Sequence, residues 1–182
     1  MITFDQLFSE GMSLYFEKGA HFTMDELAAR LGISKKTLYE NIHSKDDLAV
    51  SMVEYYFARV ADLQDRIHAD TSLPPVAKLK KLLCATPDLP MRKYHLQELK
   101  RSFPAAYAVL DERLRQGWER TLAVLDEAKA EGAVKNIDST LFSQIYSAAI
   151  EDILMQNDIH SDLTFKQKQE QIVEIILFGI CL

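Results

Sequence analysis

The stretch TMDELAARLGISKKTLYENIHSKDDL, residues 23–48, carries the start and stop signals of successive short helices. Thr23 followed three residues later by Glu26 forms a capping box, which opens a helix. Gly32 follows the last apolar residue of that helix, where glycine commonly ends one. Ser34 is then a good N-cap for a second helix. The stretch therefore predicts two short helices joined by a tight turn.

A third helix is predicted to begin after Ser44, because Asp46 and Asp47 in its first turn favour the positive end of the helix dipole. Its apolar residues recur at every third or fourth position as far as Ala69, and a segment with two prolines follows. One continuous helix would thus connect the first two helices with the rest of the chain.

Two short helices joined by a glycine-containing turn are typical of a helix-turn-helix, whose second helix enters the DNA major groove. Leu38 and Ile42, four residues apart, would face the core, which turns hydroxyl, lysine and asparagine side chains outward. Such groups suit phosphates and base edges. The alternative is an ordinary helical hairpin with a polar outer face. The residues predicted to contact DNA are Thr23, Ser34, Lys35, Lys36, Thr37, Tyr39, Asn41 and Lys45.

The run FTMDELAARLGISKKTLYENIHSKDDL, residues 22–48, resembles the TetR family of bacterial transcription regulators. The resemblance implies a DNA-binding helix-turn-helix domain, and a dimer held by a four-helix interface from the last two helices of each subunit. Lys36, Asn41 and Ile42 depart from the family pattern, so the resemblance does not imply which bases are read. The matching positions are Gly19, Thr23, Leu27, Ala28, Gly32, Ile33, Ser34, Thr37, Leu38, Tyr39, Ser44, Lys45 and Leu48.

Composition favours helix throughout the 182 residues, because glycine and proline number only 6 and 5 and no hairpin signal is visible. We predict an all-α protein of about nine helices. Residues 1–48 form a three-helix helix-turn-helix domain, and residues 49–182 form a helical ligand-binding and dimerisation domain. Beyond the long helix, further helices are predicted over 76–85, 91–102 and 104–132, after Asp138 and after Thr164, with a loop over 158–162.

The net charge of −6 excludes a protein that coats nucleic acid along its whole surface, but it permits a local basic module. Lys35, Lys36 and Lys45 supply such a module. A second basic run, residues 78–101, is interpreted as a solvated helix face, the alternative being attraction of an anionic ligand or of flanking DNA.

The last two predicted helices carry apolar residues over wide arcs, which need burial on more than one side. A partner subunit would supply that burial, and the alternative is that helices of the same chain cover it. The residues predicted to form the homodimer interface are Ile145, Ala149, Ile153, Ile172 and Ile176.

No pattern in the sequence indicates catalysis, a metal or a cofactor. The five histidines are scattered, and Cys84 and Cys181 lie far apart, so neither residue type has metal-ligand spacing. We expect no enzyme activity and no cofactor. The absence of a signal-peptide pattern and of a long apolar run predicts a cytoplasmic protein with no membrane partner.

These features together predict a homodimeric repressor that a small-molecule effector releases from a palindromic, double-stranded operator. The alternative is a helical protein-interaction module with secondary DNA binding. The effector would lie between helices against mostly apolar residues. The residues picked to line that site, each of which could also be plain core, are Met91, Tyr94, His95, Phe103, Tyr107, Trp118 and Tyr146.

Overall fold

The computed structural model describes residues 2–87, 93–155 and 163–181, and these ranges form ten α-helices. An all-α fold with an N-terminal helix-turn-helix is confirmed. A 3-10 turn, Gly19–His21, follows the first helix. The helices are α1 (Phe4–Lys18), α2 (Met24–Leu31), α3 (Lys35–Asn41), α4 (Lys45–Ala69), α5 (Pro75–Leu83), α6 (Lys93–Ser102), α7 (Pro104–Arg115), α8 (Glu119–Ala130), α9 (Ser139–Met155) and α10 (Phe165–Ile180).

The predicted caps of the helix-turn-helix are confirmed atom by atom. The backbone N–H of Glu26 donates to Thr23 Oγ1 at 3.2 Å, and the backbone N–H of Thr23 donates to Glu26 Oε2 at 2.9 Å. Gly32 ends α2 in the left-handed conformation, with φ 64° and ψ 31°. Ser34 and Ser44 each accept a backbone N–H three residues on, at 3.1 and 3.0 Å. Local sequence alone therefore accounts for these boundaries.

The prediction of one helix over residues 104–132 is wrong, because the chain leaves the helix between α7 and α8. Gly117 has φ 81°, a left-handed conformation that glycine adopts without steric cost. Trp118 then takes the N-cap position of α8. The break raises the number of helices in the described ranges to ten. The predicted loop over 158–162 and the predicted start of a helix at Met91 lie outside the described residues.

The chain divides into two compact units. The first unit comprises Met1–Ala58 and Pro90–Arg113, and the second comprises Arg59–Leu89 and Leu114–Leu182. The first unit thus includes α6 and most of α7 besides the helix-turn-helix. The predicted domain boundary between residues 48 and 49 stays a prediction. The fully buried side chains of the first unit's core include Leu7, Leu14, Phe22, Leu27, Leu38 and Leu48.

The second unit packs α5 against α8 and α10, and α9 against both α8 and α10. Its core also encloses polar groups. Tyr146 donates its hydroxyl to the Leu83 carbonyl, and Gln169 Nε2 donates to both the Leu83 carbonyl and Tyr146 Oη at 3.0 Å. Thr86 Oγ1 lies 2.9 Å from Gln169 Oε1. The amide of Gln169, only 2% exposed, is therefore satisfied on both sides.

No α-helix within the described ranges combines the length and the apolar character that crossing a lipid bilayer requires.

Candidate nucleic-acid interface

The orientation of α3 is fixed by its apolar residues. Leu38 is fully buried and Ile42 is 6% exposed, and both belong to the core cluster that holds Phe22 and Leu27. The remaining side chains of α3 are exposed or half-buried. Because Leu38 and Ile42 pack into the core, the opposite side of α3 faces solvent, as the helix-turn-helix prediction requires.

Several predicted DNA-contacting side chains are held by neighbours in the same module. Ser34 Oγ lies 2.9 Å from Thr37 Oγ1, and Asn41 Nδ2 donates to the Thr37 carbonyl at 2.8 Å. Lys35 Nζ pairs with Asp25 Oδ1 at 2.7 Å, and this hydrogen bond raises the pKa of Lys35. Ser34, Lys35, Thr37 and Asn41 therefore all have a partner within α2, α3 and their caps.

Lys36 and Glu40 behave differently from these side chains. Both are exposed, and neither forms an ion pair or a side-chain hydrogen bond with any residue that the structure describes. Tyr39, 38% exposed, lies between them in sequence. Glu40 was not among the residues predicted to contact DNA.

Lys45 points into the first unit. Its Nζ lies 2.5 Å from the Ala20 carbonyl oxygen, 4.3 Å from the centre of the Phe22 ring and 5.6 Å from that of Phe103. Burial lowers the pKa of Lys45, although the nearby charges of Asp46 and other carboxylates oppose that shift. The phosphate contact predicted for this lysine stays a prediction, and in the free protein its ammonium group has an internal partner.

The helix-turn-helix is further supported by contacts between α1 and α6. Tyr15 donates its hydroxyl to the His95 carbonyl, and His95 Nε2 lies 3.1 Å from the Phe16 carbonyl oxygen. Gly19 follows α1 with φ 61°. With ψ −147° this backbone conformation lies close to the region essentially restricted to glycine. A β-carbon at Gly19 would also lie 2.0 Å from Glu98 Oε2, the end of a flexible side chain on α6.

The residues picked for an effector site are divided between the two units. His95 and Phe103, 2% and 5% exposed, lie in the core of the first unit. In that unit Tyr107 is half-buried and Tyr94 is 48% exposed. In the second unit the rings of Trp118 and Tyr146 are 5.6 Å apart. Met91 lies outside the described residues. The effector role of all seven stays a prediction.

The predicted interface residues lie on α9 and α10. Ile145 is 52% exposed, whereas Ala149, Ile153, Ile172 and Ile176 are half-buried. The sequence-based choice missed three more large apolar side chains that are exposed on the same helices, because periodicity identifies a helix face without showing which part of it the same chain covers. These residues are Leu141, Ile175 and Phe178.

No group of three or more His, Cys, Asp or Glu side chains that could hold a metal ion occurs within residues 2–87, 93–155 and 163–181.

The fold and the exposed polar helix define a DNA-binding transcription regulator of the helix-turn-helix class. The sequence model of the bacterial regulatory proteins, tetR family, matches residues 7–52. An uncharacterized HTH-type transcriptional regulator of Bacillus subtilis (strain 168), YvaF, is 32% identical over 179 residues, which cover 96% of this chain and 94% of the relative. The chain belongs to the TetR family.

Solved structures agree with this fold at lower sequence identity. Regulatory protein TetR from Rhodobacter sphaeroides has a TM-score of 0.72 at 19% identity, with 97% of each chain covered. A transcriptional regulator of the TetR/AcrR family from Thermobifida fusca has a TM-score of 0.68 at 22% identity, with 96% of each chain covered. The likeness extends over nearly the whole chain, well beyond the helix-turn-helix.

Proposed function

We propose that this TetR-family regulator is a homodimeric repressor that binds a palindromic operator and leaves it when a small-molecule effector binds. The observation that supports this proposal best is that the same chain exposes polar side chains on α3 and large apolar side chains on α9 and α10. The first suits DNA, and the second suits another protein surface. Such a repressor would act in the cytoplasm, where bacterial DNA lies.

The dimer is proposed from exposure on α9 and α10. Leu141 and Ile145 lie four residues apart on α9, and Ile175 and Phe178 lie three apart on α10, so each pair shares a helix face. Phe178 is 90% exposed and Ile175 is 71% exposed. Contiguous exposed apolar side chains mark interaction sites, and helices of two copies would bury them as a four-helix bundle.

A twofold dimer constrains the operator. An isologous interface presents the same surface of both subunits, so the two α3 helices meet half-sites related by a twofold axis. Half-sites one DNA turn apart, or a multiple of it, would allow both helices to engage together. The operator is therefore proposed to be roughly palindromic.

Effector control is proposed to act through α4. This helix is unbroken from Lys45 to Ala69, so it begins beside the helix-turn-helix and ends in the second unit. An effector lodged against Leu63 and Ile67 would tilt it and change the separation of the α3 helices. A coupling free energy of about 1–3 kcal/mol gives a modest switch, and operator DNA must then weaken the effector by the same factor.

Binding to the DNA upstream of the protein's own gene tests the proposal. Gel shifts with the wild-type chain, with unrelated DNA as competitor, should give one specific complex whose mass corresponds to a dimer. An Ile145→Asp variant should keep its helical content and lose the complex. Binding to unrelated DNA with equal affinity would contradict the operator, and a specific complex with monomer mass would contradict the dimer.

The alternative of a protein-interaction module has one supporting observation, since the same apolar face could receive a different protein. It predicts a monomer in solution with no specific gel shift. Sedimentation of the pure chain therefore separates the two functions.

A further inference from the structure

We propose that Glu40 determines sequence specificity by accepting a hydrogen bond from a cytosine amino group, next to a guanine contact made by Lys36. This inference rests on the proposed placement of α3 in the major groove. It adds an acidic base-reading residue to a surface otherwise expected to bind DNA through cations and hydroxyls.

The direction of Glu40 follows from helix geometry. Successive residues of an α-helix are about 100° apart, so Lys36 and Glu40 each lie about 160° from Leu38, on opposite sides. Leu38 is fully buried, which makes it the inward direction of α3. Lys36 and Glu40 therefore straddle the line that points directly out of the module. When α3 enters a groove with this edge foremost, these side chains reach deepest.

The availability of these side chains supports the same assignment. Ser34, Thr37 and Asn41 share hydrogen bonds within the module, and Lys35 is paired with Asp25. Among the described residues Lys36 and Glu40 have no such partner, although their four-residue spacing would allow them to pair with each other. Their charged ends are thus free to meet groups outside the chain.

The charge of Glu40 restricts what it can contact. A carboxylate is repelled by phosphates, so an outward Glu at a DNA interface weakens binding unless it accepts a hydrogen bond from a donor group on the DNA. In the major groove cytosine N4 is such a donor, and Glu accepts from it, while Lys donates to guanine O6 and N7. We infer that the half-site contains a cytosine opposite Glu40 and a guanine opposite Lys36, in the same or neighbouring base pairs.

Selection of bound fragments from a random double-stranded library tests the assignment. The wild-type dimer should select a motif with one strongly preferred cytosine in each half-site. Glu40→Ala should lose that preference, and discrimination against the other bases there should fall on the order of tenfold. Glu40→Gln should shift it towards adenine, which Gln reads through N6 and N7. Both variants should bind random DNA at least as tightly as the wild type.

Glu127→Gln is the matched control, because Glu127 is an exposed glutamate on α8 and undergoes the same change of charge. It should leave the selected motif unchanged. Thermal unfolding of each variant shows whether α3 remains folded.

The outcomes separate this inference from the proposed function. A wild-type chain that selects no motif overturns the operator proposal itself. If Glu40→Ala selects the same motif as the wild type, with unchanged preference at every position, the role of Glu40 is overturned and the operator proposal is not. A loss of preference spread over the whole motif, together with a lower unfolding temperature, would show a structural role and also overturn it.

Discussion

The two compact units differ in the large hydrophobic side chains that they expose. Among the described residues, the first unit exposes only aromatic ones, and two of the three carry a hydroxyl group: Phe4, Tyr39 and Tyr94. The second unit exposes one aromatic and five aliphatic side chains: Leu114, Leu141, Ile145, Leu163, Ile175 and Phe178. Side chains that carry hydroxyl groups can bind DNA phosphates, whereas exposed aliphatic side chains are suited to burial against another protein.

The units do not differ in this way in their ion pairs, since the second unit also pairs exposed charges, Lys80 with Glu174 and Arg120 with Asp65. In the first unit Arg30 pairs with Glu17, Lys18 with Glu26, and Lys35 with Asp25. These pairs lower the pKa of Glu17 and of Glu26. Exposed pairs of this kind contribute little stability in either unit. Lys36 and Glu40 on α3 have no such partner among the described residues. The exposed apolar side chains, and not the ion pairs, therefore distinguish the two units, and this contrast supports the proposal that the first unit binds DNA and the second associates with a partner subunit.

The largest effect is expected from a charged substitution in the exposed apolar surface of the second unit. Phe178→Asp would place an unpaired carboxylate in the proposed interface, and we expect the dimer dissociation constant to rise about a hundredfold, or roughly 3 kcal/mol. Because Phe178 is 90% exposed in the single chain, the fold should survive. Sedimentation equilibrium over a range of concentrations measures the change.

Leu114→Asp is the control for this variant, since Leu114 is 40% exposed but lies on α7. It should dimerise like the wild type. Equal dissociation constants for wild type and Phe178→Asp would remove α10 from the interface, and the contrast between the units would lose its functional meaning.

The second effect concerns two glycines of the first unit. Both Gly19 and Gly32 have positive φ, 61° and 64°, but only at Gly19 would a β-carbon meet a neighbour, Glu98 Oε2 at 2.0 Å. We expect Gly32→Ala to cost about 1 kcal/mol of unfolding free energy from backbone strain alone. Gly19→Ala should cost about 3 kcal/mol, because φ 61° with ψ −147° lies close to the region that is essentially restricted to glycine. Urea unfolding measures both values.

Equal costs at the two glycines would show that the backbone at residue 19 relaxes to the ordinary left-handed conformation that Gly32 has, with φ 64° and ψ 31°. A larger cost at Gly32 would contradict the geometry altogether.

These comparisons show which parts of the structure the sequence could predict. The caps at Thr23, Ser34 and Ser44, and the left-handed Gly32, depend on residues within one helical turn, so local patterns sufficed. The extent of α4 was predicted from the regular recurrence of its apolar residues and from the two prolines that follow it. The spacing in this stretch left an ordinary helical hairpin open, and its resemblance to the TetR family supplied the DNA-binding class.

Other features depend on residues distant in sequence and could not be predicted. The inward direction of Lys45 depends on Phe22 and Phe103, and Phe103 lies far along the chain, between α6 and α7. The break at Gly117 was missed because apolar residues at helical spacing continue across it. Periodicity places residues on a face, but only tertiary packing shows which of them stay exposed.

The third effect concerns Lys45, for which the sequence and the structure predict different roles. The sequence predicts a phosphate contact, so removing the lysine should lower the salt slope of DNA binding by about one unit. The structure predicts instead that Lys45→Met leaves the slope unchanged. It should cost about 1–2 kcal/mol of unfolding free energy, because the Ala20 carbonyl loses its donor and Phe22 loses its cation.

Lys36→Met is the comparison variant, because Lys36 is exposed and unpaired within the described residues. It should leave the unfolding free energy unchanged. If Lys45→Met lowers the slope by one unit at unchanged stability, the ammonium group must leave Ala20 and bind DNA.

The smallest effect is a dependence of stability on alkaline pH in the first unit. Tyr15 is 7% exposed and donates its hydroxyl to the His95 carbonyl. Burial, assisted by the negative charge of Glu98, raises the pKa of Tyr15 well above its ordinary value of 10.0. The folded chain therefore keeps this proton at pH values where the unfolded chain releases it. The stabilisation is complete below pH 10.0 and declines as the pH rises towards the folded pKa.

Comparison of the wild type with Tyr15→Phe isolates this proton from all the others that titrate at high pH. At pH 8 the variant should be less stable by about 1 kcal/mol, because the His95 carbonyl loses its donor. Above the ordinary pKa the wild type should lose about 1.4 kcal/mol per pH unit relative to the variant. The two unfolding free energies should therefore become equal near pH 11. A difference that stays constant from pH 8 to pH 11 would mean that the Tyr15 hydroxyl ionises as readily in the folded chain as in the unfolded one, and that the contact between α1 and α6 opens to water.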